Sequence, residues 1–223
     1  MLDVFAKEKR LSDVASTRQG LATGDNDRFL RMWYEVARDN LYFNATDYIQ
    51  AMYTGKKWFP CNKGGAFRKW YGNNDYVVNW KNNGHEIVNF LDDKGKLRSR
   101  PQNRQYYFME GGTWSTLSSS DFSMRYSPKG FIFETKGSMC FANNEDELKY
   151  IIGFLNSCVV KQLLLILSPT LDYHEGPLSR VPLKIDENKK IVVEEKVNEN
   201  IETTQSDWDS FETSWDFKKH PLI

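Results

Sequence analysis

Cysteine is scarce in this 223-residue chain. Cys61, Cys140 and Cys158 lie far apart, without the C-x-x-C or Cys/His spacing of a zinc site or a disulfide framework. Their absence of pattern fits a reducing, cytoplasmic setting. His85, His174 and His220 stand alone and read as structural, and no acidic cluster has metal-site spacing. Long apolar runs are missing too. The longest, around Ile151 to Leu167, is broken by Asn156, Ser157, Lys161 and Gln162, and a membrane span needs roughly 18 uninterrupted apolar residues. The opening Met1–Arg10 has no apolar signal-peptide core, so no membrane partner is expected. A nucleotide P-loop, G-x-x-x-x-G-K-[ST], is absent, and neither Ser118-Ser119-Ser120 nor Ser157 has a G-x-S-x-G context. No active site is visible.

Net charge is lacking as well, with 30 Lys/Arg against 30 Asp/Glu. A zero total argues against a nucleic-acid binder, which needs clustered cations. The distribution reverses that argument. Residues 51–110 hold eleven Lys/Arg and five Asp/Glu, an excess of six, whereas residues 184–223 hold six Lys and ten acids. A basic middle and an acidic tail cancel.

What is present is aromatic and β-rich: aromatics are 14% of the chain. Leu30, Met32, Tyr34 and Val36 alternate with polar or outward residues, the period of a half-buried strand. Tyr76–Trp80 runs into Asn82-Asn83-Gly84, and Met124-Arg125-Tyr126 runs through Pro128-Lys129-Gly130 into Phe131-Ile132-Phe133. Both are strand-and-turn signals in which Asn or Gly supplies positive φ. From Asn143 a long helical pattern begins, with Asn144 as N-cap and Glu147 at the capping-box position; Leu148, Ile151, Ile152, Leu155, Val159, Leu163 and Ile166 form its apolar stripe, and Ser168-Pro169 ends it. After Pro182-Leu183 the composition turns acidic, which places a boundary near residue 183.

Three stretches carry candidate binding chemistry. In Arg18 to Phe29 two glycines precede a strand: Gly24 permits close backbone approach to a ligand, and Arg18, Asn26 and Arg28 offer forks for phosphates or base edges. A capped turn explains the same residues. In Trp58 to Asn73 cations interleave with aromatics around Gly64-Gly65, so exposed amides and Lys63 can cradle a phosphate while Arg68 reaches a groove and an aromatic stacks or wedges. A hairpin with a solvated basic face is the plain alternative. Arg98, Arg100 and Arg104 surround Pro101-Gln102-Asn103, a basic loop with amides able to bond adenine edges, or simply a solvated loop.

The phrases from Thr17 to Arg31, Lys57 to Gly65, Phe67 to Asn73 and Asp207 to Phe217 together resemble the PglX-type adenine-specific methyltransferases of bacteriophage-exclusion (BREX) systems. More broadly, the Gly-x-x-Thr-Gly-x-Asn-x-x-Phe stretch from Gly20 to Phe29 resembles the opening of target recognition domains in type I specificity subunits and TaqI-like methyltransferases. Phe154-Leu155-Asn156-Ser157 followed by Val181-Pro182-Leu183 looks like the way those domains close. The resemblance implies a mixed α/β (α+β) domain over residues 1–183, with a twisted sheet, flanking helices and a long C-terminal-half helix. Residues 184–223 would then start a helical spacer. It also implies double-stranded DNA as partner, contacted by Arg18, Asn26, Arg28, Lys63, Arg68, Lys69, Arg98, Arg100 and Arg104. The family's Asn-Pro-Pro-Tyr/Phe motif for the flipped adenine and its Gly-containing S-adenosylmethionine motif do not occur here. The expectation is therefore a piece that itself binds no cofactor and transfers no methyl group, from a parent that uses S-adenosylmethionine in an absent N-terminal domain. Cys61 stands where the family pattern has Tyr. Two rivals remain: a module binding another defence-system protein, which needs an apolar patch, and a hydrolase using Asp172, His174 and Glu175, which needs those side chains to converge.

Overall fold

The computed structural model describes residues 8–170, 172–220 and 222, so most of the opening segment, Met1–Lys7, lies outside the described residues. The fold is mixed α/β, as expected. Its strands are β1 (Lys9–Arg10), β2 (Ala15–Arg18), β3 (Leu30–Met32), β4 (Trp58–Asn62), β5 (Tyr76–Asn79), β6 (Gly111–Trp114), β7 (Met124–Ser127), β8 (Ile132–Phe133), β9 (Met139–Ala142) and β10 (Pro182–Leu183). They form an antiparallel sheet in the order β2-β9-β6-β7, a mixed sheet in the order β3-β5-β4-β8, and the small pair β1-β10. All five residues of β4 are buried, so the strand shows no alternation. Its Pro60 is tolerated because β8, parallel to β4, reaches only Cys61 and Asn62.

The turn signals hold, with two changes of outcome. Asn82, Asn83 and Gly84 all adopt left-handed conformations, φ 51°, 58° and 74°, directly after β5, but the chain continues into a helical turn rather than a second strand. Gly130, φ 104°, lies where any Cβ would collide with the Phe43 carbonyl. The turn it makes carries the chain from β7 in one sheet to β8 in the other, instead of closing a hairpin.

Two periodicities mislead. The strand expected over residues 30–36 stops at Met32, because the Glu35 carboxylate accepts from the Met32 amide (2.8 Å) and tightens Trp33–Glu35 into a 3₁₀ turn, leaving Tyr34 exposed. The long helix expected from Asn143 is three pieces. Asn144 does cap the first, a 3₁₀ turn over Glu145–Glu147. The helices Leu148–Leu155 and Cys158–Leu167 then meet at 78°. Ser157 caps the second through the Val160 amide, and the buried face rotates to Val160, Leu163 and Leu164, exposing Val159 and Ile166. Among the described residues no single helix is long and apolar enough to cross a membrane.

One core lies between the antiparallel sheet and these two helices, a second is built on the mixed sheet around Phe29, Phe59, Trp80 and Phe133, and a small third joins Leu41, Trp58 and Val77. The acidic segment beyond residue 183 forms the helix Lys190–Trp208, whose Val197, Ile201 and Trp208 enter the first core. Gly153 permits this close crossing, since a Cβ there would stand 2.7 Å from Val197. The chain then returns to the mixed sheet: Trp33 Nε1 donates to the Thr213 carbonyl (2.8 Å), and Trp215 packs 4.9 Å from Phe43 and 5.9 Å from Phe131.

Candidate nucleic-acid interface

The segments 18–28 and 98–106, eighty residues apart in sequence, are stitched into one surface. Ala22 and Arg100 exchange backbone hydrogen bonds (3.0 and 2.8 Å). The Asn103 side chain donates to the Gln19 carbonyl (2.8 Å), and the Gln102 amide donates to Gln19 Oε1 (3.1 Å). Ser99, buried between them, donates to the Ile87 carbonyl (2.5 Å) and anchors the strip from beneath. Gly20 lies so close to the Phe133 carbonyl that no side chain fits, and a Cβ on Gly24, φ 77°, would stand 2.8 Å from the Arg98 backbone. Both positions therefore need glycine for the chain's own packing, while Gly24 itself remains exposed.

Five of the nine candidate residues gather here. Arg28, Arg98, Arg100 and Arg104 are exposed and Arg18 is half-buried. Arg28 and Arg98 share the Phe90 ring, at 5.0 and 4.9 Å from its centroid, which holds two like charges on one support. Arg18 sits 5.3 Å from the Tyr106 ring and donates to its hydroxyl (3.5 Å); hydrogen bonds with Ser16 and Arg18 lower the phenol's pKa. Arg104 donates to the Asn83 carbonyl (3.1 Å) and lies over Trp80. Glu86 reaches Arg28 at 3.8 Å, with both side chains about half exposed, and Asp25 and Asp27 lie on the same segment as Arg28.

Asn26, on the short helix that carries Arg28, and Lys63 line a neighbouring groove of about 370 Å³ with Arg31 and Glu35. Asn26 Oδ1 accepts from Thr23 (2.5 Å), and Lys63 Nζ lies 4.2 Å from the centre of the Tyr76 ring. Gly64 and Gly65 both adopt positive φ, 88° and 136°. Gly64 packs on the Lys136 carbonyl and Gly65 on the Asn73 side chain, at 2.5 and 2.9 Å from where their Cβ atoms would be.

Arg68 and Lys69 turn elsewhere. Arg68 pairs with Asp207 (3.2 Å) and covers the Trp208 ring, while Lys69 Nζ donates to the Asn156 carbonyl (2.9 Å). Both fasten the helical side of the molecule. Gln19 and Tyr106 were not singled out by sequence; their part comes from contacts 80 or more residues away. Of the hydrolase residues, His174 is exposed and the Glu175 carboxylate accepts from the Ser138 hydroxyl. Among the described residues no three His, Cys, Asp or Glu side chains are grouped to hold a metal.

No family model matches the chain. It is 43% identical over 215 residues to the adenine-specific methyltransferase PglX of Lacticaseibacillus casei (strain Zhang), covering 96% of this chain and 18% of that protein. It is 41% identical over 208 residues to the adenine-specific methyltransferase BrxX of Escherichia coli O9:H4 (strain HS), covering 92% of this chain and 16% of that protein. The chain therefore spans less than a fifth of the length of these curated relatives.

Proposed function

We propose, from its homology to one part of adenine-specific methyltransferases of the PglX and BrxX kind, that this chain is the DNA-recognition part of such an enzyme. The observation that carries the reading is the strip of Arg18, Arg28, Arg98, Arg100 and Arg104, assembled from two distant segments. Arginine forks suit phosphates and guanine edges, and the amides of Gln19, Gln102 and Asn103 between them suit adenine edges. Arg68 and Lys69 act on this reading as structural ties. Lys63 and Asn26 extend the surface along the adjoining groove.

S-adenosylmethionine is, on this reading, held by other parts of the relatives' length. Methyl transfer and capture of the target adenine belong, on this reading, to other parts of the relatives' length. A second reading, docking of another protein, is favoured by one feature: Tyr48, Ile49, Met52 and Tyr53 are all exposed on one short helix. Repeated selection from a duplex pool with a randomised centre separates the two. Enrichment of one short sequence is expected, relaxing at single positions when a base-reading residue is replaced. A pool that remains random would favour protein docking.

A further inference from the structure

Gln19 follows directly on β2, where the two stitched segments of the arginine strip meet. We propose that Gln19 reads one base of the duplex as a donor only, its amide locked by its neighbours so that N–H groups and not the oxygen meet the base. The proposal rests on the DNA reading above and adds to it a residue that sets specificity. The backbone of Gln19 is fixed on both sides. Its carbonyl accepts from the Asn103 side chain (2.8 Å), and the next residue, Gly20, lies against the Phe133 carbonyl with no room for a Cβ. A reader held in this way has little freedom left to lose on binding.

The polarity of the amide follows from what surrounds it. Two donors converge on Gln19 Oε1: Gln102 Nε2 at 3.1 Å and, at the longer distance of 3.5 Å, Arg100 Nη2. A guanidinium has donors and no acceptor, so an amide turned the other way would set its own N–H against that cation. The oxygen therefore stays with Arg100, and Gln102 can meet it only by donating. Gln19 Nε2 is left over. Among the described residues it has no hydrogen-bond partner, and it is not shut in like the buried unpaired nitrogens of Asn74 and Trp80, since Gln19 is half-buried. An unrestrained glutamine offers a base either a donor or an acceptor; this one offers donors alone. In the major groove adenine and guanine accept such a donor through N7 and thymine through O4, whereas cytosine presents its N4 donor. Gln19 thus admits three bases at its position and rejects cytosine.

The test selects bound sequences from a duplex pool with a randomised centre, using the wild type, Gln19→Glu and Gln102→Met. The wild type should enrich one sequence in which cytosine is depleted about tenfold at a single position, the effect of one donor left unsatisfied. A glutamate at position 19 still accepts from Arg100 and Gln102, so its melting temperature should match or exceed that of the wild type. Its remaining oxygen is an acceptor, which suits cytosine N4. Gln19→Glu should therefore turn that same position toward cytosine and leave the other positions unchanged, beyond a uniform loss of affinity from the added negative charge. Gln102→Met leaves only the long Arg100 contact to orient the amide, so cytosine should become tolerated there without being preferred; this variant carries the test if Gln19→Glu does not fold. If the wild type enriches a sequence and the folded variants enrich the same one with no position altered, Gln19 is merely a tie between the two segments; the proposal is then wrong and the DNA reading stands. A wild-type pool that stays random overturns both.

Discussion

Replacing Asn156 by alanine removes a side chain that stands in for a missing strand. Asn156 lies at the elbow between the Leu148–Leu155 and Cys158–Leu167 helices and is buried. Its amide donates to the Met124 carbonyl and accepts from the Met124 N–H, both at 2.9 Å, on the outer edge of β7. The Met124 carbonyl keeps a second donor, the Trp70 amide (3.0 Å), so alanine leaves only the N–H orphaned. One unsatisfied buried donor costs about 1–3 kcal/mol and the second lost bond about 1 kcal/mol, for a sum of roughly 3 kcal/mol. In a chain of 223 residues that corresponds to a fall in melting temperature of roughly 6–12 °C. Asn156→Asp should be nearly as damaging at neutral pH, because a carboxylate accepts from the amide but cannot donate to the carbonyl. Thermal unfolding followed by circular dichroism measures both. A fall under about 2 °C for Asn156→Ala would refute the reasoning, since the Met124 N–H would then be satisfied without the side chain.

Three further outcomes follow from local geometry. Gly20→Ala drives a Cβ into the Phe133 backbone, so the variant should fail to fold or melt far below wild type, whereas Gly55→Ala, φ 65° in open space, should cost only about 1 kcal/mol; parallel melts compare them. The Asp47 carboxylate caps the Tyr48–Tyr53 helix through the Ile49 and Gln50 amides, and these hydrogen bonds, that from Gln50 foremost, hold its pKa below the usual carboxylate range. The cap therefore contributes above the ordinary value of about 3.9 and is lost as pH falls through the lower folded value. Hydrogen exchange at Ile49 and Gln50 should accelerate across that acid window, and should already be fast at neutral pH in Asp47→Ala. Arg68→Ala should loosen the Lys190–Trp208 helix, giving proteolysis within residues 184–223, while leaving the salt dependence of DNA binding unchanged; a reduced slope would instead make Arg68 a phosphate contact.

Much of this architecture was legible because its signals are local. Asn82-Asn83-Gly84 and Gly130 announce positive φ, and Asn144 announces a cap. The elbow at Asn156-Ser157 was masked by the apolar residues on either side, although Ser157 is an ordinary N-cap residue. The pairing of β8 with β4 and the return of Trp215 onto Phe43 are long-range choices that no local pattern encodes. Of the arginines that the fold gathers into one strip, charge clustering singles out Arg98, Arg100 and Arg104, and motif reading Arg18 and Arg28. The same cation-and-aromatic pattern at Arg68 and Lys69 serves internal packing, because their partners Asp207, Trp208 and Asn156 lie about 85 to 140 residues away.

The most direct test of DNA recognition is the affinity of the chain for a randomised duplex at several salt concentrations, compared with the triple variant Arg98→Ala, Arg100→Ala, Arg104→Ala. The account predicts a log–log slope of several units for the wild type. It predicts a slope smaller by about 2.7 for the variant, at roughly 0.9 per phosphate contact. Equal slopes for the two proteins, or no binding by the wild type even at low salt, would contradict it.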